Sequence, residues 1–169
     1  MDANQKRKGF TLLEILLYAG IAAVILSTAS FFFILMLKSR VENQTAAEVE
    51  QQGIQMMQII TQTARNAQGI NSPAAGASAG SLSLALADSA KNPTVFDISA
   101  SILRIKEGSD PVVVLNSPNV TVTNLTFTNL SRTGTKGTVR IQFTLAHINP
   151  GAREEYEYAK TFYGSASLR

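Results

Sequence analysis

The sequence predicts an α+β fold in which a long N-terminal α-helix, membrane-spanning in its first half and amphipathic in its second, packs on a C-terminal antiparallel β-sheet domain. Three observations predict it. From Phe10 to Leu37 run 28 residues whose only charge is Glu14. After Leu37 the apolar residues recur at spacings of three, four and seven, the period of a helix with one dry face. After Ser81 apolar and polar residues alternate, the period of a half-buried strand.

The apolar run comes first. A helix of this length spans about 42 Å at about 1.5 Å per residue, against a hydrocarbon core of about 30 Å. Lys6, Arg7 and Lys8 precede it, so the positive-inside tendency keeps the N-terminus in the cytoplasm and sends the rest of the chain outward. A secretory signal would have a shorter apolar region, about 7–15 residues, followed by a small-residue cleavage site. A plain membrane anchor fits the length and the flanks but gives no reason to place a carboxylate near the start of the segment. Such a charge is costly in a bilayer and asks for a partner.

The run Lys6-Arg7-Lys8-Gly9-Phe10-Thr11-Leu12-Leu13-Glu14 resembles the leader and processing site of the type IV prepilins and type II secretion pseudopilins. The resemblance implies that a membrane prepilin peptidase removes residues 1–9, cutting between Gly9 and Phe10, and methylates the new amine of Phe10. It further implies that Glu14, fifth in the mature chain, pairs with the terminal amine of a neighbouring subunit and sets the axial register of a filament. Two departures stand out. No proline occurs before Pro73, so the first helix is expected to be continuous, with Gly20 and Gly53 its only soft points. There is no cysteine, so the disulfide-closed C-terminal loop of many pilins is absent.

The amphipathic extension covers 38–69. Val41, Ala46, Val49, Met56, Met57, Ile60 and Ala64 form its apolar stripe, with the two methionines read as gap-filling core residues. The opposite face is rich in Gln and suits either a filament interface or an ordinary wet surface. Gly69 followed by Pro73 predicts the helix end. Residues 70–81, dominated by Ser, Pro, Ala and Gly, read as a flexible loop.

The remaining segment, 82–169, is expected to be β-rich. Leu82, Leu84 and Leu86 mark one strand, and others are predicted at Val95–Ile98, Ser101–Lys106, Val112–Leu115, Val120–Asn129, Thr138–Ile148 and Tyr156–Tyr163. Residues 131–137 read as a hairpin connection, and Asn149-Pro150-Gly151 as a turn. A sheet behind a shared helix is similar to the arrangement of minor pilins and minor pseudopilins, the J-type pseudopilins being the nearest comparison.

Chemistry of other kinds finds little footing. His147 is the only histidine and reads as a structural or surface residue. Asp88, Asp97, Glu107 and Asp110 lack calcium-loop spacing, and no glycine pattern for nucleotides is present. Glu154, Glu155 and Glu157 read as a solvated edge. Of 15 basic and 12 acidic residues, removal of 1–9 takes three and one, leaving 12 and 11. The rest is near neutral, its cations scattered among acids, which disfavours a nucleic-acid surface outside a DNA-uptake pilus.

The expectation is therefore a structural subunit, of the minor kind, in a type IV pilus or type II secretion pseudopilus. It is not read as an enzyme, and no cofactor or metal is implied. By the resemblance its partners are the prepilin peptidase, other pilin-like subunits and an inner-membrane assembly platform. It would be stored as a single-pass cytoplasmic-membrane protein with an extracytoplasmic domain and end in a surface or periplasmic filament. The alternative is a membrane-anchored module whose outward sheet binds a surface ligand or DNA.

Overall fold

The computed structural model describes residues 11–132, 134 and 136–169. The chain divides into two compact units, one reaching Arg40 and the other Val41–Arg169. One helix, α1 (Leu12–Asn66), supplies the first unit and the start of the second.

In the first unit α1 has an 18-residue window of mean hydropathy 2.3, none of it buried, so it is long and apolar enough to cross a membrane. Its hydroxyls do not oppose that role. Ser27, Thr28 and Ser30 each donate to the carbonyl four residues earlier, those of Ala23, Val24 and Leu26, all at 2.8 Å. A polar group satisfied by its own helix costs far less in hydrocarbon than an orphaned one.

In the second unit the buried positions of α1 are Thr45, Val49, Gly53, Met56, Ile60 and Ala64, steps of four, four, three, four and four along one stripe. This stripe covers two antiparallel sheets, where the sequence suggested one. The first runs β1 (Ala67–Ser72), β3 (Leu82–Leu86), β4 (Thr94–Ser99), β5 (Ile102–Glu107), β6 (Val113–Val114) in that spatial order. The second runs β2 (Ser78–Ala79), β7 (Val120–Asn129), β8 (Thr138–His147), β9 (Ala159–Ser167). Both feed one core: Leu84, Phe96 and Leu103 from the first sheet meet Phe127, Ile141 and Phe143 from the second, with Met56 and Ile60 above them.

The helix stops at Asn66, three residues before the expected glycine, and the expected loop is partly strand. Ala67 pairs with Leu86 and Ile70 with Leu84, so β1 gives its backbone groups to β3 instead of to a helical turn. The small-residue stretch after it is also held. Asn129, 3 % exposed, donates from Nδ2 to Pro73 O at 2.8 Å; its backbone accepts from Gly76 N–H (2.8 Å) and donates to Ala77 O (2.9 Å). A single buried amide thus orders a segment whose composition alone predicts mobility.

β7 and β8 match the predicted long strands, with one added device. The register passes from Thr123↔Thr144 to Thr126↔Gln142, so two residues, Asn124 and Leu125, oppose one. Asn124 takes φ 52, a left-handed conformation that Asn tolerates. This bulge shifts the phase: Val120 and Val122 face inward before it, Leu125 and Phe127 after it. The last strand differs more. Glu154–Tyr156 forms a 3-10 turn, so β9 begins at Ala159 rather than Tyr156 and continues to Ser167, where Ala166 and the following Leu168 reach the core.

The β4–β5 turn joins the sheets. Ala100 and Ser101 both have positive φ, the mirror-image turn suited to a two-residue hairpin. Ser101 O accepts from Val122 N–H of β7 at 2.9 Å. Asn116 closes the same corner, its Oδ1 accepting from Leu103 N–H at 2.9 Å and its Nδ2 donating to Val120 O at 2.7 Å.

Candidate functional site

Glu14 sits in the first turn of α1. Thr11 starts the helix, accepting from the Glu14 N–H at its side-chain Oγ1 (3.3 Å) and at its carbonyl (3.1 Å). The carboxylate therefore lies where the helix dipole is positive, which favours a negative charge. Tyr18, one turn on, donates from Oη to Glu14 Oε1 at 3.2 Å. A carboxylate has about four acceptor positions, and among the described residues this is its only side-chain donor. Its surroundings are apolar and exposed: Leu12, Leu13, Ile15, Leu16 and Leu17 are all more than half accessible. The helix accommodates the charge locally and leaves most of its hydrogen-bonding capacity pointing outward. Lys6, Arg7, Lys8, Gly9 and Phe10, the other residues singled out from the sequence, lie outside the described residues.

No protein-family model, curated protein or solved structure matches the chain.

Close packing and polar contacts hold the amphipathic half of α1 to the sheets. Two glycines make the closest approach. A side chain on Gly53 would overlap the Phe162 ring, and one on Gly164 would overlap the Met57 thioether. Helix and β9 therefore interlock, each offering a side chain to the other's glycine. Phe162 in turn stacks on Phe143 with ring centroids 5.5 Å apart. Gly53 is a packing position, not the soft point its residue type suggests, whereas nothing lies within 4 Å of a side chain placed on Gly20.

Polar contacts flank this seam. Glu50 accepts from Tyr158 Oη at 3.0 Å and from Lys160 Nζ at 2.5 Å. The hydrogen bond from Lys160, then that from Tyr158, then the Lys160 charge hold the Glu50 carboxyl below the usual carboxylate range. The bond to Glu50 likewise holds Lys160 and Tyr158 above theirs. A depressed carboxyl contributes stability above its unfolded value, about 4.3, and loses it as the pH falls through its folded value. The raised groups contribute below their unfolded values as long as Glu50 is ionised, and lose their share as the pH rises through their folded values. Lys160→Gln is therefore expected to flatten the acid limb of the urea midpoint plotted against pH. Variant and wild type should converge once Glu50 is protonated, and high salt should shrink the difference because both side chains are 44 % exposed.

Glu48 holds the other side. It accepts from Ser117 Oγ and Asn119 Nδ2, both at 3.2 Å, and lies 3.7 Å from His147 Nε2. Gln52 Oε1 accepts from Ser117 N–H at 3.1 Å, so one member of the Gln-rich face fastens the β6–β7 connection while Gln44, Gln51 and Gln55 stay exposed. His147 stacks on Tyr156 at 5.6 Å, and its side chain is 11 % exposed, a structural position. Among the described residues no three His, Asp or Glu side chains converge as metal ligands.

The acidic cluster departs from the solvated edge expected of it. Glu154 and Glu157 are exposed, but Glu155 is buried, pairs with Arg153, and accepts at its carbonyl from Thr45 Oγ1 (3.3 Å). Sequence reading also missed the Glu50–Tyr158–Lys160 set, in which Glu50 lies more than 100 residues from its two partners in the chain. It missed Tyr18 too, although the four-residue step from Glu14 and the Thr-x-x-Glu start at Thr11 are both local signals.

Proposed function

We propose that the chain is a structural subunit of the minor kind in a type IV pilus or type II secretion pseudopilus, held in the cytoplasmic membrane by residues 10–37 until it is assembled. The observation that carries this reading is the exposed apolar half of α1 with one carboxylate in its first turn, most of whose acceptor capacity faces away from its own helix. The basic leader ending at Gly9-Phe10 supports it from the sequence side.

In this reading a prepilin peptidase cuts between Gly9 and Phe10, leaving a methylated, positively charged amine about one helical turn from Glu14. When subunits leave the bilayer, their apolar helices pack on one another, and an unpaired carboxylate in that bundle is costly. Pairing Glu14 with the amine of a neighbour removes the cost only at one axial offset, so the same charge that burdens the membrane segment selects the filament register. The second unit is carried outward, and the interlock between Gly53, Phe162, Met57 and Gly164 keeps its sheets fixed to the helix that bears the load. An assembly platform elsewhere in the envelope supplies the work; this chain performs no catalysis.

Mass spectrometry of the chain recovered from cells making an active prepilin peptidase tests the reading. The expected mature N-terminus is methyl-Phe10; a chain retaining residues 1–9 in those cells overturns it.

A further inference from the structure

The outer face of the second sheet points away from the core and carries a pattern that packing does not require. On β8, Val139, Ile141, Phe143 and Leu145 are buried, and Arg140, Gln142 and Thr144 alternate with them on the outer side. The bulge in β7 preserves this division on the neighbouring strand. Without it, the alternation of Thr121 and Thr123 would turn Leu125 and Phe127 outward; with it, Thr126 and Thr128 take the outer positions and the two apolar residues stay buried.

Three rows cross this face. Thr123, Thr144 and Thr161 form the first. The second is Thr126, Gln142 and Tyr163, and the third is Thr128, Arg140 and Ser165. Neighbours within a row stand about 4.8 Å apart, and successive rows about 6.8 Å. Hydroxyls hold one another: Thr144 Oγ1 and Thr161 Oγ1 are 2.9 Å apart, and Thr128 Oγ1 lies 2.8 Å from Ser78 Oγ of β2. Each such pair uses one hydrogen and keeps a second, with spare lone pairs, for a ligand. No Asp or Glu occurs in any of the four strands. Arg140 is exposed and makes no ion pair among the described residues, whereas Lys160, the other cation of these strands, is engaged with Glu50 on α1.

Tyr163 is the unusual member. It is 70 % exposed, whereas the other aromatic residues of the Val41–Arg169 unit are buried or half-buried. Its backbone is nevertheless fixed. Phe162 before it and Gly164 after it are the two residues of β9 that interlock with Gly53 and Met57 of α1. A tyrosine so placed presents a flat ring at low cost in conformational freedom, because only two side-chain torsions remain to be ordered.

We infer that this face binds a polysaccharide whose sugars carry carboxylates. A pyranose ring has an apolar C–H face and a rim of hydroxyls. Tyr163 matches the face, and Thr126, Gln142 and Ser165 beside it match the rim, each able to donate and to accept. Arg140 stands diagonally across the strand pair from Tyr163, a spacing of about 7–8 Å, and its planar fork suits a sugar carboxylate. The three rows carry one cation, too few for a nucleic-acid duplex, whose binding rests on several phosphate contacts. Tyr163 apart, they carry no large apolar side chain, whereas a protein interface has an apolar centre. The inference goes beyond the filament reading, because binding here needs neither leader cleavage nor assembly.

Retardation of the full-length chain in native gels containing detergent and a soluble polymer tests it. Polygalacturonate is the probe. Dextran serves as a neutral sugar polymer, polyglutamate as a carboxylate polymer without sugar rings, and a DNA duplex as a phosphate polymer. Polygalacturonate is expected to bind about tenfold more tightly than any of the other three. Tyr163→Ala should weaken that binding about tenfold and Arg140→Gln by as much, while Tyr163→Phe, which keeps the ring, should bind as wild type. Both side chains are exposed, so all three variants should unfold at the wild-type urea concentration. Equal binding of dextran, polyglutamate or DNA, no binding of polygalacturonate, or undiminished binding by Tyr163→Ala or Arg140→Gln overturns the inference. Unprocessed chain is used, so failure here leaves the N-terminal processing result standing, and the converse also holds.

Discussion

Glu14→Ala is expected to be processed and stored in the membrane normally but to yield almost no filament. Removing the carboxylate makes the apolar segment easier to hold in a bilayer, so the membrane-stored pool should stay equal or rise. In the proposed assembled bundle the loss is different in kind. The terminal amine of the neighbour keeps its charge and loses its partner, and breaking one side of a buried ion pair costs about 3–5 kcal/mol. In the proposed filament that cost would recur at every subunit contact, so growth is expected to stop. The local work of Glu14, its interaction with the helix dipole and with Tyr18, is worth about 0.3–1 kcal/mol and cannot produce that outcome. Tyr18→Phe removes the local hydrogen bond alone and should assemble nearly as wild type. The measurement is the ratio of sheared filament to membrane-bound chain. Normal assembly of Glu14→Ala, or equal failure of Tyr18→Phe, removes the registry role.

Gly53→Val is expected to give the largest loss of stability of any single change on the amphipathic half of α1. Two effects compete at this position. Replacing a helical glycine with alanine gains about 1 kcal/mol from propensity. Against it, the new β-carbon occupies the space of the Phe162 ring, which is itself stacked on Phe143 and has little room to retreat. Overpacking of this kind costs about 1–3 kcal/mol, so even Gly53→Ala should be net destabilising, and valine, bulkier and stiffer, more so. Gly20→Ala meets nothing and should be neutral or slightly favourable. Urea unfolding of the full chain in detergent measures all three. Adding Phe162→Leu to Gly53→Ala should recover part of the loss, and an additive double variant would break the assignment of cause. Gly164→Ala should cost less than Gly53→Ala, because the atom it displaces belongs to Met57, a flexible side chain that can move aside.

Much of this was legible in the sequence. The apolar run, the stripe from Val49 to Ala64 and the alternation of Val139, Ile141, Phe143 and Leu145 each repeat with a local period, and each proved to be helix or inward-facing strand. Local period cannot report a partner. The helix end moved from Gly69 to Asn66 because β1 pairs with β3, and the stretch after Pro73 is held because Asn129, 56 residues away, points back at it. The bulge at Asn124 leaves a phase slip between Val122 and Leu125 that the sequence does contain, though only the pairing with β8 gives it meaning.

Taken alone, the sequence determined that one long helix precedes a β-rich segment, the span able to cross a membrane, and the isolation of Glu14 within it, because hydrophobicity and charge act on the nearest neighbours of each residue. Only the tertiary structure decided that the strands divide into two sheets over one core and that Gly53 is packed while Gly20 is open. It also placed Glu50 against Lys160. Those outcomes depend on contacts between residues tens to more than a hundred positions apart, and short-range dispersion, hydrogen bonding and screened charge leave no trace of such contacts in local composition.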